Sequence, residues 1–382
     1  MQISENVKYV GCDDHEIDLF EGQFDVPNGM AYNSYVIIDD KIAVMDTMDA
    51  NFCSEWMQNL QDELAGHTPD YLVVHHMEPD HSSGIALFAE AYPDATIVAS
   101  KAAFNMMKNF FGRDFANTLV VKEGDTLQLG SHTLQFVAAP NVHWPEVMMS
   151  YEASEKILFS ADGFGKFGAN DIEEDWACEA RRYYFGIVGK FGTNVQKVLA
   201  KAAELDISTI CPLHGPVLHD NLSYYIGLYN TWSSYEAETE GVCIAYTSVY
   251  GHTREAALML NDELEALGCN HVEIFDLARD DMAEAMEGAF RHSKIVLATT
   301  TYNNSIFPFM HDFIDRLVEH KFQNRSVALI ENGTWGPAAA KVMTTMLEPC
   351  DNLEFAGKIT IKSALTEQNI SEIKELAKTL VK

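Results

Sequence analysis

Positive charge is scarce in this sequence. Its 382 residues hold 26 Lys and Arg against 57 Asp and Glu, a net charge of -31. Such a surface repels phosphate backbones and excludes nucleic acid as a partner. Long apolar runs are missing too, and none approaches the ~18 residues of a membrane span. The opening stretch, MQISENVKYVGCDDHE, is acidic and has no apolar segment of the signal-peptide kind, so no signal peptide is expected. The cysteines, Cys12, Cys53, Cys178, Cys211, Cys243, Cys269 and Cys350, are scattered. They form no Cys-x-x-Cys pair and no disulfide framework. Together these absences predict a cytoplasmic protein with no membrane and no nucleic-acid partner. The acidic excess serves solubility or the orientation of a redox partner.

What is present falls into two grammars. Up to about residue 236, short β-like runs such as NSYVIID, KIAVMD, YLVVHH, ATIVAS, HTLQFVAA, KILFSAD and STICPLHG alternate irregularly with helical patterns. His or Asp repeatedly stands at or just past the end of a run. This predicts mixed sheets with helices outside and a site along one sheet edge. After the segment EAETEG (236–241) the pattern becomes regular, with GVCIAYTS, HVEIFDL, SKIVLATTT, RSVALIEN and LEFAGKITIK separated by helical stretches. In the first of these, Ala256, Leu260, Leu264 and Leu267 mark a core face, and Gly268 offers a stop. Alternating strands and helices imply a parallel, doubly wound five-stranded sheet of the flavodoxin type. The expected domains are 1–238 and 239–382, with EAETEG as the linker.

The stretch HHMEPDHSSG (75–84) concentrates ionisable groups. On an extended backbone His76, Glu78 and Asp80 would point the same way, with His81 next to them and His75 opposite. His143 in NVHWPE, Asp162 in FSADGFG and His214 in CPLHGP stand at later run ends. That makes four histidines, one glutamate and two aspartates, the donor set of a dinuclear metal site. Asp162 is the bridging candidate, since one carboxylate can bind two metals through its two oxygens. His75 is not expected to be a ligand. A lone histidine at a strand end is more often a satisfied turn residue; four ionisable groups in six residues are harder to explain that way.

The pattern H-x-E-x-D-H followed by separated His, Asp and His resembles the metallo-β-lactamase superfamily. Its usual H-x-H-x-D-H binds zinc for hydrolysis. Here Glu78 replaces the middle histidine, and an anionic oxygen makes the site harder and favours iron. With a flavodoxin-like domain behind it, the chain resembles the flavodiiron proteins over essentially its whole length. The intervals agree, with 61 residues between His81 and His143 and 18 between His143 and Asp162. The resemblance implies a metallo-β-lactamase-like αββα sandwich followed by the flavodoxin-like sheet. It implies one iron on His76, Glu78 and His143, the other on Asp80, His81 and His214, and Asp162 as the bridge. Several relatives place a histidine where FEGQFDVPNG has Glu21. Trp144, beside His143, is a candidate pocket residue.

Three loops of the second half should meet at the carboxyl edge of its sheet. They are Thr247, Ser248, Val249, Tyr250, Gly251, His252 and Thr253; Thr301, Tyr302, Asn303 and Asn304; and Asn332, Gly333, Thr334, Trp335 and Gly336. The first is rich in hydroxyls and opens a helix, which suits a phosphate. It has no GK[ST] ending, which sets it apart from a nucleotide-triphosphate loop. Tyr302 and Trp335 suit a flat ring. The set resembles flavodoxin FMN binding.

The resemblance implies reduction of O2 to water and/or NO to N2O at two non-haem irons, with electrons passing through FMN. No rubredoxin-like or flavin reductase extension is expected beyond Lys382, so a separate donor is expected, rubredoxin by the family's habit or a reduced deazaflavin. Six linker residues span only roughly 20 Å when fully extended. The resemblance implies a head-to-tail homodimer, or a dimer of dimers, pairing the FMN of one chain with the irons of the other. The alternatives are a zinc hydrolase carrying a regulatory flavodoxin domain, which Glu78 opposes, and a plain electron carrier, which the ligand set opposes.

Overall fold

The computed structural model describes residues 3–382. It comprises two compact units, one running through Tyr184 and including Thr193–Asn230, the other comprising Phe185–Gly192 and Thr231–Lys382. The short stretch Phe185–Gly192 thus leaves the first half of the sequence and joins the second unit. Its Phe185 ring stacks on Phe290 with centroids 4.4 Å apart.

The first unit is an αββα sandwich. One sheet runs in the order Val7–Tyr9, Tyr35–Ile37, Ala43–Met45, Tyr71–Val74, Thr96–Ser100, Thr118–Val121. Its last four strands are parallel. A parallel strand covered on both faces needs apolar residues at every position. The run YLVV supplies them, and Leu72, Val73 and Val74 are all buried. The other sheet runs Thr126–Gln128, Thr133–Ala138, Met148–Glu152, Ile157–Phe159, Thr209–Cys211. Val73, Val98 and Tyr35 from the first sheet share one core with Leu134, Phe136, Met148 and Phe159 from the second. The chain leaves this core at strand ends, and the polar residues of the metal motif stand there.

The second unit holds five parallel strands in the spatial order second, first, third, fourth, fifth, the flavodoxin-like topology. The helix His252–Ala266 packs Ala256, Leu260 and Leu264 into its core. Leu267 departs from expectation. It caps the helix and is 43% exposed, because the chain turns at Gly268 (φ +86°) before reaching the core face again. The linker reading also needs correction. Thr239 already belongs to the first strand and pairs with His292, so half of EAETEG is sheet. No helix among the described residues is long and apolar enough to cross a membrane.

Candidate metal and flavin sites

The strand Tyr71–Val74 ends one residue before His75, and the backbone does not stay extended. Pro79, with its fixed φ, opens a four-residue helix, Pro79–Ser82, that Glu78 caps. The extended-parity reading of His76, Glu78 and Asp80 is therefore overturned. The helical turn swings Asp80 and His81 away from His76 and Glu78. Two groups of ligating atoms result: His76, Glu78, His143 and Asp162 in one, and Asp80, His81 and His214 in the other.

The distances describe two coordination shells. In the first group His76 Nε2 lies 3.3 Å from Glu78 Oε2 and 3.2 Å from Asp162 Oδ2, while His143 Nε2 lies 3.0 and 3.1 Å from the same two oxygens. In the second, His81 Nε2 is 2.9 Å from His214 Nε2 and 3.3 Å from Asp80 Oδ2. The other oxygen of Asp162, Oδ1, is 3.4 Å from His81 Nε2 and 3.8 Å from His214 Nε2. Ligands held at about 2.0–2.2 Å from one ion stand about 3–3.5 Å from each other. Both oxygens of Asp80 and Asp162, and His143 Nε2, are buried with no partner in hydrogen-bonding geometry. Leaving so many buried polar atoms unpaired is costly unless a cation collects them. The donors, imidazole and carboxylate only, suit iron.

Protonation shows the same demand for positive charge. Burial alone would lower the basicity of His76, but the charge of Asp162 and the Glu146 hydrogen bond raise its pKa well above the ordinary value. Burial opposes protonation at His143 as well, yet the adjacent carboxylates of Asp162 and Glu78 push it up to about 9. Asp162 is held far below the usual carboxylate range despite burial, with the His76 charge the leading cause.

Groups behind the ligands hold them in place. Glu146 Oε1 accepts from His76 Nδ1 at 2.7 Å and from the Met77 N–H at 2.9 Å. His214 Nδ1 donates to the Ala31 carbonyl at 2.7 Å. His75 points elsewhere, between Asp46 (2.5 Å) and Ser150 (2.8 Å). Trp144 is half-buried and sets its ring edge-on to His76 at 5.2 Å and to His143 at 6.1 Å. Crowding by neighbouring atoms and then the Glu78 charge push the carboxyl of Glu21, whose side chain still reaches solvent, up to about 7. Tyr183, fully buried, has its hydroxyl pKa raised by burial and then by Asp162, Glu78 and Asp80, and its ring lies 5.6 Å from His214. Sequence reasoning missed Glu146 and Tyr183. Only the position of Glu146, three residues after a ligand, offered a signal. The spacing Gly163, Gly165, Gly168 matches a dinucleotide fingerprint after the strand Ile157–Phe159, but the next helix opens only at Trp176.

In the second unit the three loops meet around a cavity of about 490 Å3, within the usual range for a ligand pocket. Ser248, Val249, Tyr250, His252, Thr253, Thr301, Tyr302, Asn303, Asn304, Asn332, Gly333, Thr334, Trp335 and Gly336 line it. Thr247 does not, since its hydroxyl is buried against Thr299 at 2.6 Å. Gly251 is not a wall residue either; it takes φ +99° as the cap that lets His252 start the helix. Thr300 and Ser363 join the lining unforeseen. Asn303 (φ +49°) and Asn304 (φ +59°) make the tight turn between paired Tyr302 and Ser305, a conformation asparagine tolerates. The hydroxyls of Thr253, at the helix start, and of Thr300, near the end of the strand His292–Tyr302, are buried without partners, and that of Thr253 suits a phosphate at the helix N-terminus. Trp335 is 96% and Tyr250 92% exposed, free to cover a flat ring.

Comparison with known proteins agrees with this geometry. Residues 30–215 match a protein-family model described as "ODP family beta lactamase". The "Nitric oxide reductase" of Moorella thermoacetica is 30% identical over 356 residues, 91% of this chain and 89% of that one. The rubredoxin oxygen:oxidoreductase of Desulfovibrio gigas superposes with a TM-score of 0.92 at 25% identity, over 100% of this chain and 97% of that one. The flavodiiron protein of Giardia intestinalis gives the same score and identity over 100% and 96%. Two domains in one order, matched over 91% of the chain in sequence and over all of it in shape, leave one assignment: the chain belongs to the flavodiiron protein family.

Proposed function

We propose that this protein is an oxidoreductase that reduces O2 to water and/or NO to N2O at a non-haem diiron site, with electrons passing through FMN. The observation that supports this most is Asp162, whose Oδ2 faces the His76 group and whose Oδ1 faces the His81 group. We assign His76, Glu78 and His143 to one iron, Asp80, His81 and His214 to the other, and Asp162 to both. The first unit is then the iron domain and the second the flavin domain, with the loops around the 490 Å3 cavity holding FMN. A zinc hydrolase would be served better by a histidine than by the Glu78 carboxylate.

Bound there, the two irons and the reduced flavin supply up to four electrons, enough for O2 to water, while two suffice to couple two NO. The chain's own residues do the rest. Glu146 fixes His76 with Nε2 toward the metal, as the Ala31 carbonyl fixes His214. Trp144 walls the His76 side with an apolar ring and limits what fits beside it. Glu21, next to Glu78, offers a carboxyl on that side whose pKa is raised from its ordinary value. In the cavity, Thr253 and Thr300 would hold the phosphate of FMN, and Tyr302 and Trp335 would cover its ring.

We also propose a separate electron donor such as rubredoxin, or a reduced deazaflavin, and a head-to-tail dimer. The exposure of Trp335 and Tyr250 beside one cavity supports a surface that a second chain covers. The test is metal and flavin analysis followed by anaerobic stopped-flow of the reduced protein against O2 and NO. About two irons and one FMN per chain, with fast oxidation by at least one gas, are expected. Zinc with hydrolase activity would overturn the reading.

A further inference from the structure

We infer that Glu146 is a positioning residue that makes the two iron positions electronically unequal, the His76 position being the richer in electrons. The inference rests on the diiron reading above. Glu146 is 3% exposed and has no lysine or arginine partner among the described residues. One oxygen accepts both the His76 ring and the Met77 backbone, and the other, Oε2, is buried without a partner. A carboxylate buried this way needs positive charge nearby, and the His76 ring links it to the metal position.

The other ligands lack this device. His214 leans on a neutral carbonyl, and His81 Nδ1 is buried with no partner at all. No carboxylate lies against the Nδ1 of His81, His143 or His214 among the described residues. The His76 group therefore feels Glu78, Glu146 and half of Asp162; the His81 group feels Asp80 and the other half. An Nδ1–H donated to a carboxylate makes the opposite nitrogen a stronger donor to a metal. A stronger donor favours the more oxidised ion. When the reduced pair gives up its first electron, the His76-side iron passes from ferrous to ferric. In turnover the electron goes to the gas, and in a titration to the added oxidant.

Glu146 could instead serve only to shape the loop through Met77. Glu146→Gln separates these roles. Its amide oxygen can still accept from both His76 and Met77, so the loop contacts stay while the charge goes. The experiment is an oxidative titration of iron- and FMN-loaded protein, followed by the EPR signal of the mixed-valent pair and by Mössbauer spectra of 57Fe. Wild type should show two distinct ferrous doublets when fully reduced, and should then pass through a well-populated mixed-valent state. In Glu146→Gln the two midpoints should move together, the mixed-valent signal should shrink, and chelator competition should show iron held roughly 10- to 100-fold less tightly. Glu146→Asp keeps the charge at longer reach and should shift the same way by less. If Glu146→Gln fails to hold iron, the aspartate variant decides alone. Midpoint separation and doublets unchanged from wild type, in whichever variant carries two irons, would overturn the inference. A wild-type protein with no mixed-valent state would overturn it too, whereas one that takes up no iron would sink the diiron reading instead.

Discussion

At the residue scale the bridge is the most exposed to test. Asp162 is fully buried, and each of its oxygens serves a different group of ligands. Asp162→Asn removes a charge and turns one oxygen into an N–H donor facing histidine nitrogens. Iron should fall from about two to below one per chain, and turnover with either gas should drop at least about 100-fold, while FMN remains. Metal analysis beside flavin absorbance checks this. An asparagine variant with both irons and full turnover would remove the bridging role. The seven residues proposed as ligands gather into two groups in the structure, and they could be picked out because a metal demands particular residue types and four of these stand within six residues. Glu146 could not be. A carboxylate behind a ligand has no spacing rule, since it reaches His76 across 70 residues of sequence through the meeting of two loops.

At the element scale, reading failed wherever the backbone turned. Parity along residues 76–80 assumed a strand, but proline at position 79 makes the start of a helix easier than another extended step. Thr247 fell on the wrong side because it is the last residue before the loop and hydrogen-bonds to the neighbouring strand's Thr299. The aromatic loop tips were better foreseen, since their placement follows from sheet topology alone. Trp335→Ala should weaken FMN retention by roughly 1 kcal/mol, about fivefold in Kd, and leave iron content unchanged. Equilibrium titration of the flavin-free protein reads this directly. Another element-scale prediction concerns residues that belong to neither candidate site. His132, at the turn between Thr126–Gln128 and Thr133–Ala138, sits between Asp39 at 2.7 Å and Glu155 at 2.9 Å. Burial opposes its protonation, but the two carboxylates raise its pKa above the ordinary value, while Asp39 and Glu155 are lowered. The histidine's contribution is complete below its unfolded pKa of about 6.5 and fades as pH rises through the raised folded value. The carboxylates' contribution is complete above about 4 and is lost below it. His132→Asn should therefore lower the unfolding temperature most between about pH 4.5 and 6.5, and less at pH 9. An equal loss at both ends would show that the ion pairs do not matter there.

For the whole molecule, the sequence was most legible in its broad division and least in its joints. Strand periodicity and helix alternation separated the two domains, but Phe185–Gly192 crosses to the second unit because its aromatic side chain finds a partner there. No local pattern announces such a crossing. The consequence for function concerns how electrons travel. Four-electron chemistry requires FMN and the irons to exchange electrons within a turnover, so each must lie close to the other, in one chain or across two. The head-to-tail pairing proposed here makes a specific claim: the flavin of one chain serves the irons of its partner. A two-fold interface of this kind is self-complementary and is the commonest way soluble chains pair. It also gives the 96%-exposed Trp335 a covered environment. The claim can be tested with two dead chains. One carries Asp162→Asn and keeps its flavin; the other keeps its irons but has Thr253→Glu, whose charge and bulk would repel the phosphate. Each alone should be inactive. Mixed under conditions of proven subunit exchange, half of the dimers are mixed, and each of these holds one intact flavin–iron pair across the interface. Activity should then return to about a quarter of wild type. Full activity in a demonstrated monomer, or no rescue despite exchange, would place both cofactors' traffic within a single chain.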